Sequence, residues 1–337
     1  MAAGVPDLTD PHWFPVDLHV PDRRFGMLQL SEELIERESF LDVRLDAPLA
    51  DAIQIPAASV PTSGLRTARI GWLFHTSFCG STLLARALHL EPYTVALREP
   101  MVLRRLSDAR KSSWSVDGLL EASVAMLGRP WHEGGAVLIK PTHVAMNVAG
   151  KLLKAAASSR GIILTSSVDE FLISNLKKTP ESQAKIPVLA DRALRETTFR
   201  TRLKPAALQP PDLICAAGLQ WAAQRELMED IVQAWPRRVR ALDMSTLMAD
   251  VAACVWQCAE WLQLTIPREA LAAHTALVAA HNAKALGVAY GPEARASEAA
   301  QVGAKHRDEL AHARAWLDAH VLPAMRPAAR NDPPPWP

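Results

Sequence analysis

Short apolar runs alternate with helical stretches through the middle of this chain, and this alternation constrains the fold most. The apolar runs are residues 69–76, 94–97, 136–139, 161–165 and 239–242. The stretches between them have helical spacing, and the longest of these covers residues 213–235. Short buried strands that alternate with helices are typical of a parallel sheet covered on both faces. We therefore predict an α/β fold with a parallel sheet of the nucleotide-binding type, flanked by helices.

The flanking segments divide the chain further. Residues 1–67 are rich in Pro and Asp, form an N-terminal extension with one helical segment at 31–38, and end in a linker over 56–67. Residues 68–265 hold the α/β domain, and residues 266–326 form a helical C-terminal region packed on it. Residues 327–337 contain five prolines and little to bury, which predicts a loose tail.

Charge and cysteine content narrow the function classes. The net charge is +1, so bulk charge does not indicate nucleic-acid binding. The four cysteines are too few and too scattered for a disulfide scaffold, and they favour a reducing compartment. The first residues lack the basic start and apolar run of a secretory signal, and no stretch is apolar enough to span a membrane. We expect a cytoplasmic protein without nucleic-acid or membrane partners, and the apolar C-terminal helices leave room for a homodimer.

A turn between the first strand and the following helix has the composition of a phosphate-binding loop. Its residues are Ser77, Phe78, Cys79, Gly80, Ser81, Thr82 and Leu83. The first N–H groups of a helix have no internal acceptors and can bind an anion. Gly80 permits close backbone approach, and Ser81 and Thr82 add hydroxyl donors. The Lys of the Walker A motif is missing, which weakens an ATPase or GTPase interpretation. The alternative is a plain strand-to-helix turn in which Ser81 and Thr82 cap the helix.

The segment GSTLLARALHLEPYTVALREP, residues 80–100, resembles the protein tyrosine sulfotransferases and their bacterial relatives in the P-loop sulfotransferase family. The likeness in the order of elements extends over residues 68–265. It implies that the turn binds the 5′-phosphosulfate of 3′-phosphoadenosine 5′-phosphosulfate (PAPS). It also implies that Glu99 is the catalytic base, that Lys140 stabilises the transferring group, and that Ser174 binds the 3′-phosphate.

Two positions depart from the family pattern. Phe78 stands where the family has a basic residue in the loop, and Ser166 or Ser167 stands where it has the Arg of the 3′-phosphate site. Each change removes a cation near concentrated negative charge. Either other cations substitute, or the cofactor has changed, or activity is lost. The candidate substitutes are Lys177, Lys178, Arg192, Arg195, Arg200, Arg202 and Lys284.

The candidate catalytic residues also have structural interpretations. Glu99 and Lys140 close predicted strands on the edge where such folds bind ligands, yet Glu99 could instead form an exposed salt bridge with Arg98, Arg104 or Arg105. Lys140 could simply end a strand in water. His75 and His143 could donate to the cofactor or be core histidines; these two are the remaining polar candidates.

The function implied by the resemblance is transfer of a sulfuryl group from PAPS to a hydroxyl or amine of a small-molecule or peptide acceptor. The product would be adenosine 3′,5′-bisphosphate (PAP), and no metal is expected. The alternatives are a small-molecule kinase or NTPase on the same fold, which needs magnesium-dependent ATP binding, and a non-catalytic relative that binds a nucleotide or a partner.

Overall fold

The computed structural model describes residues 5–110, 114–283, 285–334 and 336. A parallel sheet of five strands forms its centre, in the order β5–β6–β4–β7–β8. The strands are β4 (Arg69–His75), β5 (Thr94–Arg98), β6 (Ala136–Lys140), β7 (Arg160–Thr165) and β8 (Val239–Asp243). All five coincide with the apolar runs of the sequence, and the predicted α/β fold with a helix-flanked parallel sheet is confirmed.

Helices cover both faces of this sheet. They are α2 (Ser81–Ala87), α3 (Met101–Ala109), α4 (Leu119–Leu127), α5 (Ala149–Ala155), α6 (Val168–Leu176), α7 (Pro180–Gln183), α8 (Ile186–Arg195), α9 (Leu213–Ala234), α10 (Met244–Ala249) and α11 (Val251–Leu262). Successive strand residues point to opposite faces. On β4, Trp72 and Phe74 pack into the core that includes α3, α4 and α5, whereas Leu73 packs toward α2 and α11.

The N-terminal extension contains a second sheet that the sequence analysis missed. Its antiparallel strands are β1 (Trp13–His19), β2 (Arg24–Gln29) and β3 (Ile53–Pro56), in the order β1–β2–β3. The predicted helix at 31–38 is confirmed as α1 (Glu32–Arg37), and its N-cap Ser31 accepts a hydrogen bond from the Leu34 N–H. A short 3₁₀ helix precedes β3 at Leu49–Asp51 and another follows it at Ala57–Ser59.

The C-terminal region is mainly helical, as predicted, with one small hairpin. It comprises α12 (Arg268–Ala279), β9 (His281–Asn282), β10 (Ala285–Ala289), α13 (Pro292–Lys305), α14 (Arg307–His320) and α15 (Pro327–Arg330). The remaining 3₁₀ helices are His143–Val148, Thr198–Arg202, Pro205–Leu208 and Leu322–Ala324. Among the described residues, no helix combines the length and apolar character that a membrane crossing requires.

The predicted loose tail is instead packed. Ala329 is fully buried in the core between α9 and α14, and the Trp336 indole N–H donates to the Ala241 carbonyl at 2.6 Å. The proline-rich composition did not predict these contacts. A short helix and one aromatic side chain are enough to anchor the segment.

Candidate active site

Three strands of the central sheet end beside one another, and each delivers a polar side chain. His75 is the last residue of β4, Lys140 is the last residue of β6, and Glu99 directly follows β5. The Glu99 N–H donates to the Lys140 carbonyl at 2.6 Å, which extends the β5–β6 ladder by one position. We call this end of the sheet the carboxyl edge. Because parallel strands share this edge, the three side chains of the sequence prediction lie together.

Glu99 and Lys140 form a buried ion pair. The Lys140 Nζ lies 2.6 Å from the Glu99 Oε1, and the two side chains are only 1% and 11% exposed. Glu99 also has a left-handed backbone, with φ of 56°, which costs a non-glycine residue about 1–2 kcal/mol. The interpretation of Lys140 as a strand end in water is therefore wrong.

The exposed salt bridge proposed for Glu99 is also contradicted. Arg98 is fully buried and donates to backbone carbonyls of the N-terminal extension. Arg104 pairs with Asp108 at 2.9 Å, and Arg105 pairs with Asp17 at 2.8 Å. All three arginines are thus bound elsewhere, and among the described residues Lys140 is the nearest ion-pair partner of the Glu99 carboxylate.

The ion pair sets the protonation of Glu99. Burial acts to raise the pKa of Glu99, but Lys140 outweighs it, together with smaller contributions from His75 and His143, and the pKa falls to about 2. Glu99 is therefore ionised at neutral pH. While it is paired with Lys140, a carboxylate with this pKa is a weak base.

Two neutral imidazoles flank the pair. Burial lowers the pKa of His75 well below its usual range, and burial lowers that of His143 to about 4. The His75 Nδ1 lies 2.8 Å from the Thr76 carbonyl, so Nδ1 carries the proton and Nε2 keeps a lone pair. That Nε2 lies 3.9 Å from the Glu99 Oε1. Among the described residues, the Nε2 atoms of His75 and His143 are both buried without a hydrogen-bond partner.

The turn after β4 has the backbone of a tight loop. Phe78 has φ of 60° and Gly80 has φ of 78°, both in the left-handed region. A Cβ on Gly80 would lie 3.0 Å from the Met248 Cε, so a side chain there would have to displace Met248 of α10, and the positive φ would add strain. Gly80 is the N-cap of α2, which has no side-chain capping bond, so Ser81 and Thr82 do not cap the helix. The alternative of a plain strand-to-helix turn required Ser81 and Thr82 to cap the helix, and they do not.

The loop is anchored at its start. The Ser77 N–H donates to the Gln224 Oε1 at 3.2 Å, and the Gln224 Nε2 donates to the Ser77 Oγ at 3.3 Å. The Cys79 thiol donates to the Thr76 carbonyl at 3.1 Å, and burial raises the pKa of Cys79 to about 11. Cys79 is thus an inert thiol that supports the loop.

A cation lies close to each of the two positions, Phe78 and Ser166, where the family pattern has a basic residue and this sequence does not. The Lys178 Nζ is 4.8 Å from the centre of the Phe78 ring, and burial lowers the pKa of Lys178. Arg225, which the sequence analysis missed, donates from Nη1 to the Thr165 Oγ1 at 3.3 Å, next to Ser166. Arg225 is 60 residues from Thr165 in sequence, so no local pattern could have revealed the contact.

The other candidate cations are bound away from the loop or are not described. Lys177 pairs with Glu298, Arg192 with Asp108, Arg195 and Arg200 with Asp191, and Arg202 with Glu226. Lys284 lies outside the described residues.

Of the proposed 3′-phosphate residues, Ser166 directly follows β7 at the other half of the carboxyl edge. The Ser166 Oγ is buried and, among the described residues, has no hydrogen-bond partner. Ser174 is half-buried on α6. Ser167 is the N-cap of α6 and shares a capping box with Glu170, so its hydroxyl is already used.

This half of the edge is acidic. Burial raises the pKa of Glu170, and the nearby Asp243 and Asp332 raise it further. Burial and Asp243 also raise the pKa of Asp332. Arg225 is the cation beside these carboxyl groups, and its guanidinium donates to the Ala329 and Asn331 carbonyls as well.

The N-terminal extension covers the Glu99–Lys140 pair. The Leu41 N–H donates to the Arg98 carbonyl at 2.7 Å, which brings residues 40–44 across the end of β5. The Arg44 guanidinium lies 3.6 Å from the centre of the Phe40 ring, and its Nη2 lies 3.6 Å from the Glu99 Oε2. Lys140 also faces the Phe40 ring, at 5.9 Å. Sequence reasoning missed Phe40 and Arg44, because only the tertiary fold places them at the site.

Comparison with known proteins gives a likeness to solved structures only. No family model matches the chain, and no curated protein matches it. Among solved structures, a "Sulfotransferase Domain from the Curacin Biosynthetic Pathway" aligns over 71% of this chain and 97% of its own, with a TM-score of 0.37 and 12% identity. At this TM-score and identity, the case for a function rests on the chain's own residues.

Proposed function

We propose that this protein transfers a sulfuryl group from PAPS to a hydroxyl or amine of a small-molecule or peptide acceptor. The observation that carries the proposal is the buried Glu99–Lys140 pair, with His75 linking it to the loop of residues 77–83. A base and a cation are thereby held together at the edge where α/β sheets bind ligands.

The reaction suits this arrangement. In sulfuryl transfer, as in phosphoryl transfer, charge spreads over the equatorial oxygens of the moving group, and the protein supplies positioning and electrostatic stabilisation. In the free protein, Lys140 neutralises Glu99. A donor whose sulfuryl oxygens approach Lys140 competes with Glu99 for the ammonium.

This competition would activate Glu99 as a base. As Lys140 turns toward the sulfuryl oxygens, Glu99 loses its main stabilising charge, and its pKa rises from about 2. The acceptor proton then moves to the Glu99 carboxylate, the acceptor oxygen or nitrogen forms its bond to sulfur, and the bond from sulfur to the bridging phosphate oxygen breaks. PAP leaves with the electron pair of that bond.

The unpartnered imidazole nitrogens would orient the acceptor. The His75 Nε2 is a buried acceptor 3.9 Å from the Glu99 Oε1, and the His143 Nε2 is a second buried nitrogen without a hydrogen-bond partner among the described residues. A hydroxyl or amine that donates to one of them would be held near the carboxylate. Both imidazoles are neutral, because burial lowers the pKa of each, so they attract a neutral donor group.

Two spatial neighbours support binding of the anionic donor. Lys178 lies over the ring of Phe78, where the loop has lost its own cation, and Arg225 contacts Thr165 beside Ser166. In this proposal, Lys178 assists residues 77–83 with the phosphosulfate. Ser174, Ser166 and Arg225 assist with the 3′-phosphate.

Calorimetric titration with PAP tests the donor class, with ATP plus magnesium as the comparison. We expect micromolar PAP binding that is lost in Ser174→Glu, because the added carboxylate repels the 3′-phosphate. Ser63→Glu, which adds the same charge at an exposed position in the linker, is the matched control and should bind normally.

The outcomes separate the functions. ATP binding in place of PAP would move the assignment to phosphoryl transfer. Absence of binding to either ligand in folded protein would favour a non-catalytic relative. PAP release from PAPS in the presence of mixed phenol, alcohol and amine acceptors would then measure the reaction itself.

A further inference from the structure

A second cluster of ionisable side chains lies where the N-terminal extension meets the α/β domain. Its members lie just before β1, on α1, and in the segments before β5 and β6. They are Asp10, His12, Glu32, His89, Glu91 and His132. Segments that precede β5 and β6 lie at the amino ends of these strands, so this cluster is at the opposite edge of the sheet from Glu99.

Three side chains of the cluster converge. Ligand atoms of Glu32, Glu91 and His132 all lie within 4.8 Å of one another. The His132 Nε2 is 3.6 Å from the Glu32 Oε2 and 3.9 Å from the Glu91 Oε2. Two ligands of a tetrahedral zinc ion, each about 2.1 Å from the metal, stand about 3.4 Å apart. The observed spacings are near that value.

A further imidazole, His12, faces Glu32 from outside this group of three. The His12 Nδ1 lies 2.7 Å from the Asp10 Oδ1, which fixes the proton on Nδ1 and leaves a lone pair on Nε2. The His12 Nε2 is 3.5 Å from the Glu32 Oε1. Asp10 therefore holds His12 against Glu32, and outer contacts of this kind orient the ligands of a metal site.

A buried histidine is placed to hold Glu91. His89 is only 4% exposed, and its Nδ1 accepts the Ala96 N–H at 3.0 Å, so its proton is on Nε2. That Nε2 is directed at the Glu91 Oε1, 3.5 Å away, and lacks a hydrogen bond within the described residues. The buried His132 Nε2 likewise has no partner there. His89 is therefore placed to orient Glu91 rather than to bind a metal.

The negative charge of the cluster also favours binding of a cation. Within the described residues, Glu32 and Glu91 have only histidines as ion-pair partners. Two adjacent carboxylates beside partly buried imidazoles are stabilised by a divalent cation, and imidazole with carboxylate suits first-row metals such as zinc.

We propose that Glu32, Glu91 and His132 bind a divalent first-row cation of the zinc type, with His12, Asp10 and His89 as positioning residues. The cation would fasten α1 to the loops of the α/β domain. This site is separate from the carboxyl edge, and the proposal does not depend on the proposed function.

Equilibrium dialysis of the full chain tests the proposal, after treatment with a chelator, with Zn²⁺ as the probe and with Co²⁺ for its visible spectrum. We expect one ion per chain. We also expect at least tenfold weaker binding in His132→Ala and in Glu91→Gln. Glu91→Gln keeps the shape of the side chain, so it provides a folded variant if His132→Ala does not fold.

Two further variants sharpen the test. Asp10→Asn should weaken zinc binding about tenfold, because it removes the group that orients His12. His312→Ala is the control: His312 belongs to a different group of potential ligands, with Asp212 and Cys215. It should leave zinc affinity unchanged.

The proposal is overturned by either of two results. One is the absence of stoichiometric Zn²⁺ or Co²⁺ binding to folded wild-type protein. The other is zinc binding that survives Glu91→Gln but is lost in His312→Ala, which would place the ion at the second group.

Discussion

The two halves of the carboxyl edge have opposite charge patterns. At the ends of β5 and β6, one carboxylate, Glu99, is surrounded by Lys140, Arg44 and two neutral imidazoles. Near the ends of β7 and β8, one guanidinium, Arg225, is surrounded by carboxyl groups, including Asp243 and Asp332.

The two halves therefore differ in what a bound anion would meet. In the first half, an anion can replace Glu99 as the partner of Lys140 without leaving an unpaired buried cation. In the second half, an anion must compete with carboxylates and with the carbonyls of the tail for Arg225. Binding of an anion, such as the sulfuryl group of the proposed donor, is thus favoured beside Lys140. A phosphate beside Arg225 would be repelled by the neighbouring carboxylates.

The largest expected effect is on turnover. Glu99→Gln removes the base while it keeps the shape of the side chain, so turnover should fall about 10²–10⁴-fold while PAP affinity stays nearly unchanged. Release of PAP from PAPS, measured beside calorimetric binding, checks both quantities. Wild-type turnover in this variant would exclude Glu99 from the chemistry.

The next effect is on stability. Lys140→Met leaves Glu99 buried without its partner, and breaking a buried pair in this way costs about 3–5 kcal/mol of unfolding free energy. Urea denaturation measures the loss. Glu99→Gln/Lys140→Met should recover much of it, because neither charge remains.

Lys151→Met is the matched control for Lys140→Met. Lys151 is 54% exposed and lies 4.0 Å from Asp117, so its replacement should change stability by about 0.5 kcal/mol or less. Equal losses in the two variants would contradict the special role of the buried pair.

Acid should destabilise the Glu99 half in two steps, one from the buried histidines His75 and His143 and one from Glu99. The pKa of His143 is lowered in the fold to about 4 from 6.5, so its contribution is present above pH 6.5 and is lost as the pH falls toward 4. The pKa of Glu99 is lowered to about 2 from 4.5, so its contribution is lost between about pH 4.5 and pH 2. For Glu99 this amounts to on the order of 3 kcal/mol. Denaturation curves at a series of pH values should show that Glu99→Gln lacks the lower step.

The smallest effects should have opposite signs in the two halves. Arg44 is about half exposed and pairs with Glu99, so Arg44→Ala should weaken PAPS binding roughly threefold. Asp332→Asn removes a negative charge beside Arg225 and should strengthen PAP binding by roughly the same factor. Calorimetry at low salt measures both, and changes of the same sign would remove the contrast between the halves.

Arg66→Ala is the control for Arg44→Ala. Arg66 is exposed and pairs with Glu133 at 3.8 Å, away from the carboxyl edge. It should bind PAPS like the wild type, and an equal weakening in both variants would point to net charge rather than to position.

The sequence predicted the central sheet well, because all five strands are short apolar runs with both faces buried. It did not predict β1 and β2. Pro15 and Asp17 interrupt the apolar pattern of β1, and the strand pairs with a bulge between these two residues. Such strands are stabilised by cross-strand contacts that no single window displays.

The residues of the candidate site also differ in whether the sequence could predict them. The family resemblance indicated Glu99 and Lys140, and their positions at strand ends, like that of His75, predicted that they lie at one edge of the parallel sheet. Arg44 and Arg225 could not be found in this way. Arg225 reaches Thr165 from the middle of α9, and Arg44 reaches Glu99 from an irregular segment, so only the packing of distant elements brings these cations in.

The arginines that hold the N-terminal extension bind to it through its main chain. Arg98 donates to the Glu36 and Glu38 carbonyls, and Arg86 donates to the Glu36 and Arg37 carbonyls. Carbonyl oxygens are the same in every residue, so the side chains of this stretch can be exchanged without loss of these bonds. Residues 36–38, which lead into the segment beside Glu99, therefore tolerate exchange of their side chains, whereas Arg86 and Arg98 do not.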